Sequence, residues 1–180
     1  MKTWIALLRG INVGGNNILP MKDLRALLSD LGYRNPQTYI QSGNCVFGSD
    51  DGFAATHQTR IADAINSKFG FSPQVFVLTL EALNDAIAAN PYRQGHDDPK
   101  TVHLSFLAEP ADAADLETLE ACRKDSEAYT LTPAVFYLYA PEGIGRSKLA
   151  AKVEKALGVA ATGRNLRSAM KIAELAEASA

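Results

Sequence analysis

Residues 3–31 read TWIALLRGINVGGNNILPMKDLRALLSDL, and this segment indicates an α+β protein. Residues 3–8 form a β-rich apolar run that favours a strand. Residues 10–17 are dense in Gly and Asn, which is typical of a loop. An amphipathic helix follows, and its apolar face is formed by Leu24, Leu27, Leu28 and Leu31. The segment therefore predicts a strand, a loop and a helix, in that order.

The rest of the first half adds a hairpin, a helix and a strand. Residues 38–40 and 45–47 are short strand-like runs around the turn residues 42–44. A helix with Ile61 and Ile65 on one face comes next, and residues 74–78 read as a strand. This half therefore predicts the order β-α-β-β-α-β, which is that of a ferredoxin-like unit.

The second half nearly repeats this order. A linking helix covers residues 80–89, residues 102–107 and 135–139 read as strands, and residues 164–177 read as a helix. The predicted order here is β-α-β-β-α-α. We therefore expect two tandem ferredoxin-like subdomains, residues 1–79 and 80–180, each an antiparallel sheet backed by helices. Because no flexible linker separates them, we expect the two to pack tightly as one unit.

The composition excludes several classes of protein. The chain has 180 residues, 47% of them hydrophobic, and a net charge of −2, as in an ordinary globular protein. No apolar run approaches the ~18 residues of a membrane span, and the N-terminus lacks a signal-peptide pattern. We therefore expect a cytoplasmic protein with no membrane partner.

The histidines and cysteines predict neither a metal site nor a disulfide framework. The two cysteines lie far apart, and the three histidines lack the spacing of metal ligands. We therefore expect no metal and no cofactor. His57, in a helix, is expected to be exposed. Cys45 follows a turn in an apolar strand, so we expect its thiol to be buried and unreactive.

The charges are unevenly distributed along the chain. Residues 81–127 carry four Lys or Arg against eleven Asp or Glu, whereas residues 141–180 carry seven against four. The basic excess is too small for a general nucleic-acid coat. A local anion site in the end segments stays open, and the acidic segment is read as a solvated helical face.

The Gly-Asn loop is the first candidate anion site. The backbone N–H groups of Gly14 and Gly15 can point into one concavity, while Asn12 and Asn17 add amide donors and Arg9 ends the preceding strand. Ser42 and Asn44, in the second turn, are further candidates. The loop lacks the Lys-Ser/Thr of a nucleotide P-loop, so a tight structural turn is the alternative.

A second candidate lies before a helix in the last third of the chain. Arg146, Ser147 and Lys148 follow two glycines and open a helix, where cations oppose the helix dipole unless an anion is bound. The alternative is that Ser147 is a plain N-cap and the cations are solvated. Residues 162–168 repeat the theme, with Thr162 as the expected cap of the last helix and Arg164 in its first turn. Asn165 adds an amide there.

Three sequence blocks carry a resemblance to a known family. Residues 6–17 (ALLRGINVGGNN), 38–44 (TYIQSGN) and 141–149 (PEGIGRSKL) closely resemble the domain-of-unknown-function family DUF1697, whose members are small and mostly bacterial. The resemblance implies tandem α+β subdomains and carries no established activity. The family usually has Thr-Thr-Arg-Asn-Trp-Asn-Thr near its end. Here Leu166 replaces the Trp, which implies weaker stacking of a ring.

These observations favour a binding module for a phosphate-bearing ligand, either a nucleotide or a nucleic-acid backbone. Two alternatives stay open: an enzyme acting on such a ligand, with Ser42 or Ser147 near the chemistry, and a structural or interaction protein with no small ligand. The candidate ligand-binding residues are Arg9, Asn12, Gly14, Gly15, Asn17, Ser42, Asn44, Arg146, Ser147, Lys148, Arg164 and Asn165.

Overall fold

The computed structural model describes residues 1–179, and the chain forms two compact units. The first unit comprises Met1–Asn84 together with the chain from Lys171 onward, and the second comprises Asp85–Met170. Each unit contains a four-stranded sheet in which every neighbouring pair of strands is antiparallel. The expected α+β class with two antiparallel sheets is therefore confirmed.

The first unit places the N-terminal strand in the middle of its sheet. Its strand order is β2-β3-β1-β4. The elements are β1 (Lys2–Arg9), α1 (Met21–Asp30), β2 (Arg34–Tyr39), β3 (Asn44–Ser49), α2 (Ala54–Phe69) and β4 (Gln74–Thr79). Helix α3 (Leu80–Ala88) follows directly and ends in the second unit.

Helices α1 and α2 cover one face of this sheet. On the sheet side, the buried cluster contains alternate residues of β1 together with Cys45 and Phe47 of β3. The predicted apolar face of α1 is confirmed, because it contributes Leu24, Leu27 and Leu28 to the cluster. The burial expected for Cys45 is confirmed as well. The exposure expected for His57 is wrong: the residue lies on the buried face of α2, one and two turns before Ile61 and Ile65.

The second unit repeats the order of elements and the order of strands. Its sheet runs β6-β7-β5-β8, which matches β2-β3-β1-β4 strand for strand. Helices α4 and α5 pack on Phe136 and Leu138 of this sheet. The elements are β5 (Val102–Leu107), α4 (Leu116–Cys122), β6 (Ala128–Leu131), β7 (Val135–Tyr139), α5 (Lys148–Leu157) and β8 (Ala161–Asn165). Helix α6 (Leu166–Glu177) begins in this unit and ends in the first.

Strand β8 corrects the predicted order β-α-β-β-α-α. Residues Ala161–Asn165 pair with β5 in antiparallel register, from Leu107↔Ala161 to His103↔Asn165, so the order is β-α-β-β-α-β followed by a helix. The segment contains Gly and Asn, which have low strand propensity, and the pairing with β5 overrides that preference. The helix predicted from residue 164 begins at Leu166.

None of the helices within residues 1–179 is both long and apolar enough to cross a membrane.

Candidate functional site

The candidate residues of the first unit collect at one end of its sheet. Arg9, the last residue of β1, pairs with Gln74, the first residue of β4, and Leu7 pairs with Asn44, the first residue of β3. The Gly-Asn loop and the β2–β3 turn both lie at this end. An Arg9 guanidinium nitrogen donates to Oε1 of Gln74 over 3.3 Å.

The Gly-Asn loop is a small hairpin closed by its own backbone. The N–H of Asn12 donates to the carbonyl of Asn17 at 3.1 Å, and that of Asn16 donates to the carbonyl of Val13 at 3.0 Å. Gly14 and Gly15 form the tip with φ of +59° and +77°. Two consecutive positive φ values define the tight hairpin turn in which glycine is strongly preferred.

Both polar atoms of the Asn12 side chain are hydrogen-bonded within the protein. Its Nδ2 donates to the carbonyl oxygens of Leu19 and Gln41, both at 2.9 Å, and its Oδ1 accepts from the N–H of Leu19 at 2.8 Å. Nδ2 of Asn17 donates to the carbonyl of Gly10 at 2.9 Å. These amides therefore hold the loop and tie it to the β2–β3 turn.

The β2–β3 turn packs directly on the first motif. Gly43 has φ of +70°, and a Cβ there would lie 2.7 Å from both Leu8 Cβ and Ile11 Cδ1. The N–H of Leu8 donates to the carbonyl of Gly43 at 2.9 Å. Asn44 is fully buried and its Nδ2 donates to the carbonyl of Tyr39 at 3.0 Å, whereas Ser42 is exposed. The two sequence motifs therefore support each other.

Three large aliphatic side chains stand exposed around the same contacts. Val13, Ile18 and Ile40 are 67%, 56% and 49% exposed. Val13 follows Asn12 directly. Ile18 and Ile40 are next in sequence to Leu19 and Gln41, whose backbone groups are hydrogen-bonded to the Asn12 side chain. Ile40 has φ of +50°, a conformation that is unusual for a β-branched residue. Val13 within the Gly-Asn loop, Ile18 just after it and Ile40 before the second turn are aliphatic residues in polar surroundings, a signal that the sequence analysis does not use.

In the second unit, strand register places the other candidates at one end of the sheet. Val102 pairs with Tyr139, and His103 pairs with Asn165, so β5 begins where β7 and β8 end. Helix α5 begins after β7 and finishes toward the opposite end, where the N–H of Ala108 donates to the carbonyl of Ala160. Helix α6 starts immediately after Asn165.

The first turn of α5 is capped by a side chain, and two of its backbone N–H groups lie ahead of any acceptor in the helix. Ser147 is the N-cap: it is 5% exposed, and its Oγ accepts from the N–H of Ala150 at 2.9 Å. Its carbonyl accepts from the N–H of Ala151. The N–H groups of Lys148 and Leu149 precede any intrahelical acceptor. The cap interpretation of Ser147 is thus confirmed.

Two exposed cations stand at this helix start. Arg146 and Lys148 are both exposed, and the first turn of α5 contains no acidic residue. Glu142 lies in the preceding loop, where its carboxylate accepts from Lys124 Nζ at 2.8 Å and from Ser126 Oγ at 2.7 Å. These hydrogen bonds lower the pKa of Glu142, and the charges of Lys124 and then Arg146 lower it further. Glu142 therefore stays ionised and is shared between several cationic and polar neighbours.

Backbone N–H groups at the start of α6 already have hydrogen-bond acceptors within the protein. Oδ1 of Asn165 accepts from the N–H of Ser168 at 2.8 Å, and the N–H of Arg167 donates to the carbonyl of Pro99 at 3.2 Å. The expected helix cap at Thr162 is therefore wrong, because Thr162 is a buried strand residue and Asn165 is the cap. Arg164 Nη1 donates to Thr162 Oγ1 and to the carbonyl of Gly163.

Within residues 1–179, no group of three or more His, Cys, Asp or Glu side chains is arranged to hold a metal ion.

Comparison with known proteins identifies the family. The family model described as "Protein of unknown function (DUF1697)" matches residues 1–137. The chain belongs to the DUF1697 family. The matched range contains the first two motif blocks and ends before the third. None of the curated proteins compared with this sequence matches it.

A solved structure shows the same fold. It is that of the conserved bacterial protein SP0830 from Streptococcus pneumoniae, with a TM-score of 0.72 and 24% sequence identity. The alignment covers 97% of this chain and 98% of that one. At this identity the likeness bears on the fold alone, and it extends the similarity beyond residue 137 to nearly the whole DUF1697 chain.

Proposed function

We propose that this DUF1697 protein is a binding module for a phosphate-bearing ligand, and that the start of helix α5 is its anion site. The observation that carries the proposal is the pair of exposed cations, Arg146 and Lys148, beside two backbone N–H groups that the helix itself does not satisfy. Both kinds of group favour a negative charge at the same place.

The attraction for an anion at this helix start is electrostatic. A cation at a helix N-terminus is unfavourable by roughly 0.3–1 kcal/mol at an exposed position, because it faces the positive end of the helix dipole. Two such cations act against the stability of α5. A bound phosphate would reverse the sign of the interaction and accept hydrogen bonds from the N–H groups of Lys148 and Leu149. A nucleotide or a nucleic-acid backbone supplies this group.

The other candidate residues divide into two sets under this proposal. The amides of Asn12, Asn17, Asn44 and Asn165 hold loops and caps, so we assign them a structural role. Arg164 stays a predicted ligand contact. Arg9 and Ser42, in the first unit, stay predictions of their own, separate from the site at the start of α5. The enzyme alternative loses support at Ser147, since its hydroxyl is the N-cap acceptor.

A second candidate function rests on a different observation. The exposed Val13, Ile18 and Ile40 favour an interaction protein, because clustered exposed aliphatic side chains mark contact surfaces more often than isolated ones do. In that case the Gly-Asn loop is a rigid support for an apolar tip, and the first unit takes part in protein contacts.

We also propose that both units are ferredoxin-like. The shared element order β-α-β-β-α-β and the shared strand order 2-3-1-4 support this assignment.

A thermal-shift series tests the anion site. We expect inorganic phosphate, pyrophosphate or a nucleotide to raise the melting temperature, since a ligand at 100 times its dissociation constant stabilises by roughly 2.7 kcal/mol. R146A/K148A should remove this shift, and its ligand-free form should be as stable as the wild type or slightly more stable. K152A/K155A, with the same charge change further along α5, is the matched control and should keep the shift. A ligand-free R146A/K148A protein that is clearly less stable than K152A/K155A would contradict the proposal.

A further inference from the structure

His57 is enclosed by aromatic rings in the core of the first unit. The residue is fully buried. Its ring centroid lies 4.8 Å from that of Trp4, 5.2 Å from that of Tyr33 and 5.4 Å from that of Phe47, each in an edge-to-face arrangement. We call these four side chains the His57 box. It joins helix α2 to strands β1 and β3 and to the residue just before β2.

Hydrogen bonds to both ring nitrogens indicate which tautomer the neutral imidazole adopts. Nε2 of His57 lies 3.3 Å from the carbonyl oxygen of Asp51, which can only accept, so Nε2 carries the proton. Nδ1 then accepts from the Tyr33 hydroxyl at 2.9 Å. Both nitrogens are thus satisfied without a charge. A second proton on Nδ1 would turn this acceptor into a donor, so the Tyr33 hydroxyl would have to give up its donation to His57 and accept instead.

Two cations and one carboxylate lie around the box. On β1, the ammonium of Lys2 lies 4.7 Å from the Trp4 ring centre, and on α2 the guanidinium of Arg60 lies 5.1 Å from that of Tyr33. Asp51, in the β3–α2 loop, provides the opposing negative charge. Burial is the main cause that lowers the pKa of His57, and Arg60 adds to it; the backbone and carboxylate of Asp51 act in the opposite sense. Burial likewise raises the pKa of Tyr33.

We propose that the His57 box is an acid-sensitive latch: protonation of His57 releases α2 from the sheet and opens the first unit. The rings of the box pack around an imidazole that is neutral in the folded chain. Acidification is therefore the signal for the latch, and His57 couples it to the unit that carries the Gly-Asn loop.

The direction of the pH dependence follows from linkage. Above the ordinary histidine pKa of about 6.5, His57 is neutral in both the folded and the unfolded chain, and its contribution to stability is constant. As the pH falls below about 6.5, the unfolded chain binds a proton that the folded chain resists. The stability of the first unit therefore falls, and it levels off only when the folded His57 is protonated too.

Urea unfolding of the full chain at pH 7.5 and pH 5.0 tests the latch. The fluorescence of Trp4, the single tryptophan, reports on the box itself. We expect the unfolding equilibrium constant of the first unit to rise with acidification by up to about 30-fold more in the wild type than in H57Q. H96Q, which removes an exposed histidine, is the control and should behave as the wild type does. Equal pH dependence in the wild type and H57Q would overturn the proposal.

A second measurement decides the case if H57Q does not fold. NMR titration of the histidine rings of the wild-type chain should show that the His57 ring takes up its proton only below the ordinary histidine pKa of about 6.5. A His57 ring that titrates at pH 6.5 or above would overturn the proposal equally.

Discussion

Nδ2 of Asn12 donates to the carbonyl oxygen of Gln41 over 2.9 Å, and this contact joins two loops that the sequence separates by 29 residues. The Asn12 side-chain amide also accepts a hydrogen bond from the N–H of Leu19 and donates one to its carbonyl. The Gly-Asn motif and the Ser-Gly-Asn turn are therefore one structural assembly. Their distinctive residues are explained by the hydrogen bonds and close packing between them.

Asn12→Asp tests the role of this amide. The change keeps the side chain's shape but removes both donors and brings a carboxylate against two carbonyl oxygens. We expect the first unit to lose about 2–4 kcal/mol of stability, measured by urea unfolding followed by Trp4 fluorescence. Asn16→Asp carries the same charge change in the same loop, where Nδ2 makes a single long contact of 3.4 Å with the Gly14 carbonyl. We expect Asn16→Asp to lower the stability by less than about 0.5 kcal/mol. Equal losses of stability in the two variants would show that the Asn12 hydrogen bonds contribute nothing.

Gly43→Ala tests the close packing of the two motifs. The new Cβ would lie 2.7 Å from Leu8 Cβ, which is fixed by the backbone of β1, and 2.7 Å from Ile11 Cδ1, the end of a buried side chain. Gly15→Ala has a similar positive φ but open space around its Cβ, so it isolates the backbone strain, roughly 1–2 kcal/mol. Gly43→Ala should lose about 1–3 kcal/mol more stability than Gly15→Ala in the same unfolding experiment. A Gly43 variant no worse than the Gly15 variant would refute close packing as the reason for this glycine.

Ser147→Ala tests the cap of α5. Loss of the hydroxyl leaves the N–H of Ala150 without its acceptor, and we expect a local cost of about 1 kcal/mol. Amide hydrogen exchange at Ala150 and Ala151 should become faster by about 5-fold, which is the same free energy expressed as an opening equilibrium. Ser147→Thr keeps a capping oxygen and should restore protection. Unchanged exchange in the alanine variant would contradict the capping role.

Much of the fold follows from local sequence patterns. Helix α1 and the β2–β3 turn were predictable because leucine spacing and turn residues act locally. Strand β8 was not, since Gly163 and Asn165 disfavour strands and only the partner β5 makes the pairing favourable. His57 carries a usable signal that was missed: it lies four and eight residues before Ile61 and Ile65, on the same helix face.

The candidate site was predictable in its residue types but only partly in their use. Asparagine amides and arginines in Gly-rich loops can serve a ligand or the backbone, and a sequence does not show which. In the structure, Asn12 and Asn165 bond to the protein's own backbone. Of the predicted ligand contacts, the exposed Arg146 and Lys148 at the capped start of α5 remain the best candidates for binding a ligand.

Isothermal titration of the full chain with pyrophosphate, nucleotides and short oligonucleotides tests the anion site most directly. We expect the wild type and K152A/K155A to bind at least one of these ligands with similar affinity, and R146A/K148A to bind it at least about 10-fold more weakly. For an oligonucleotide, the double variant should also show a shallower dependence of affinity on salt, because two phosphate contacts are lost. Absence of binding by the wild type to every ligand at millimolar concentration, or equal affinity in all three proteins, would contradict the proposed function.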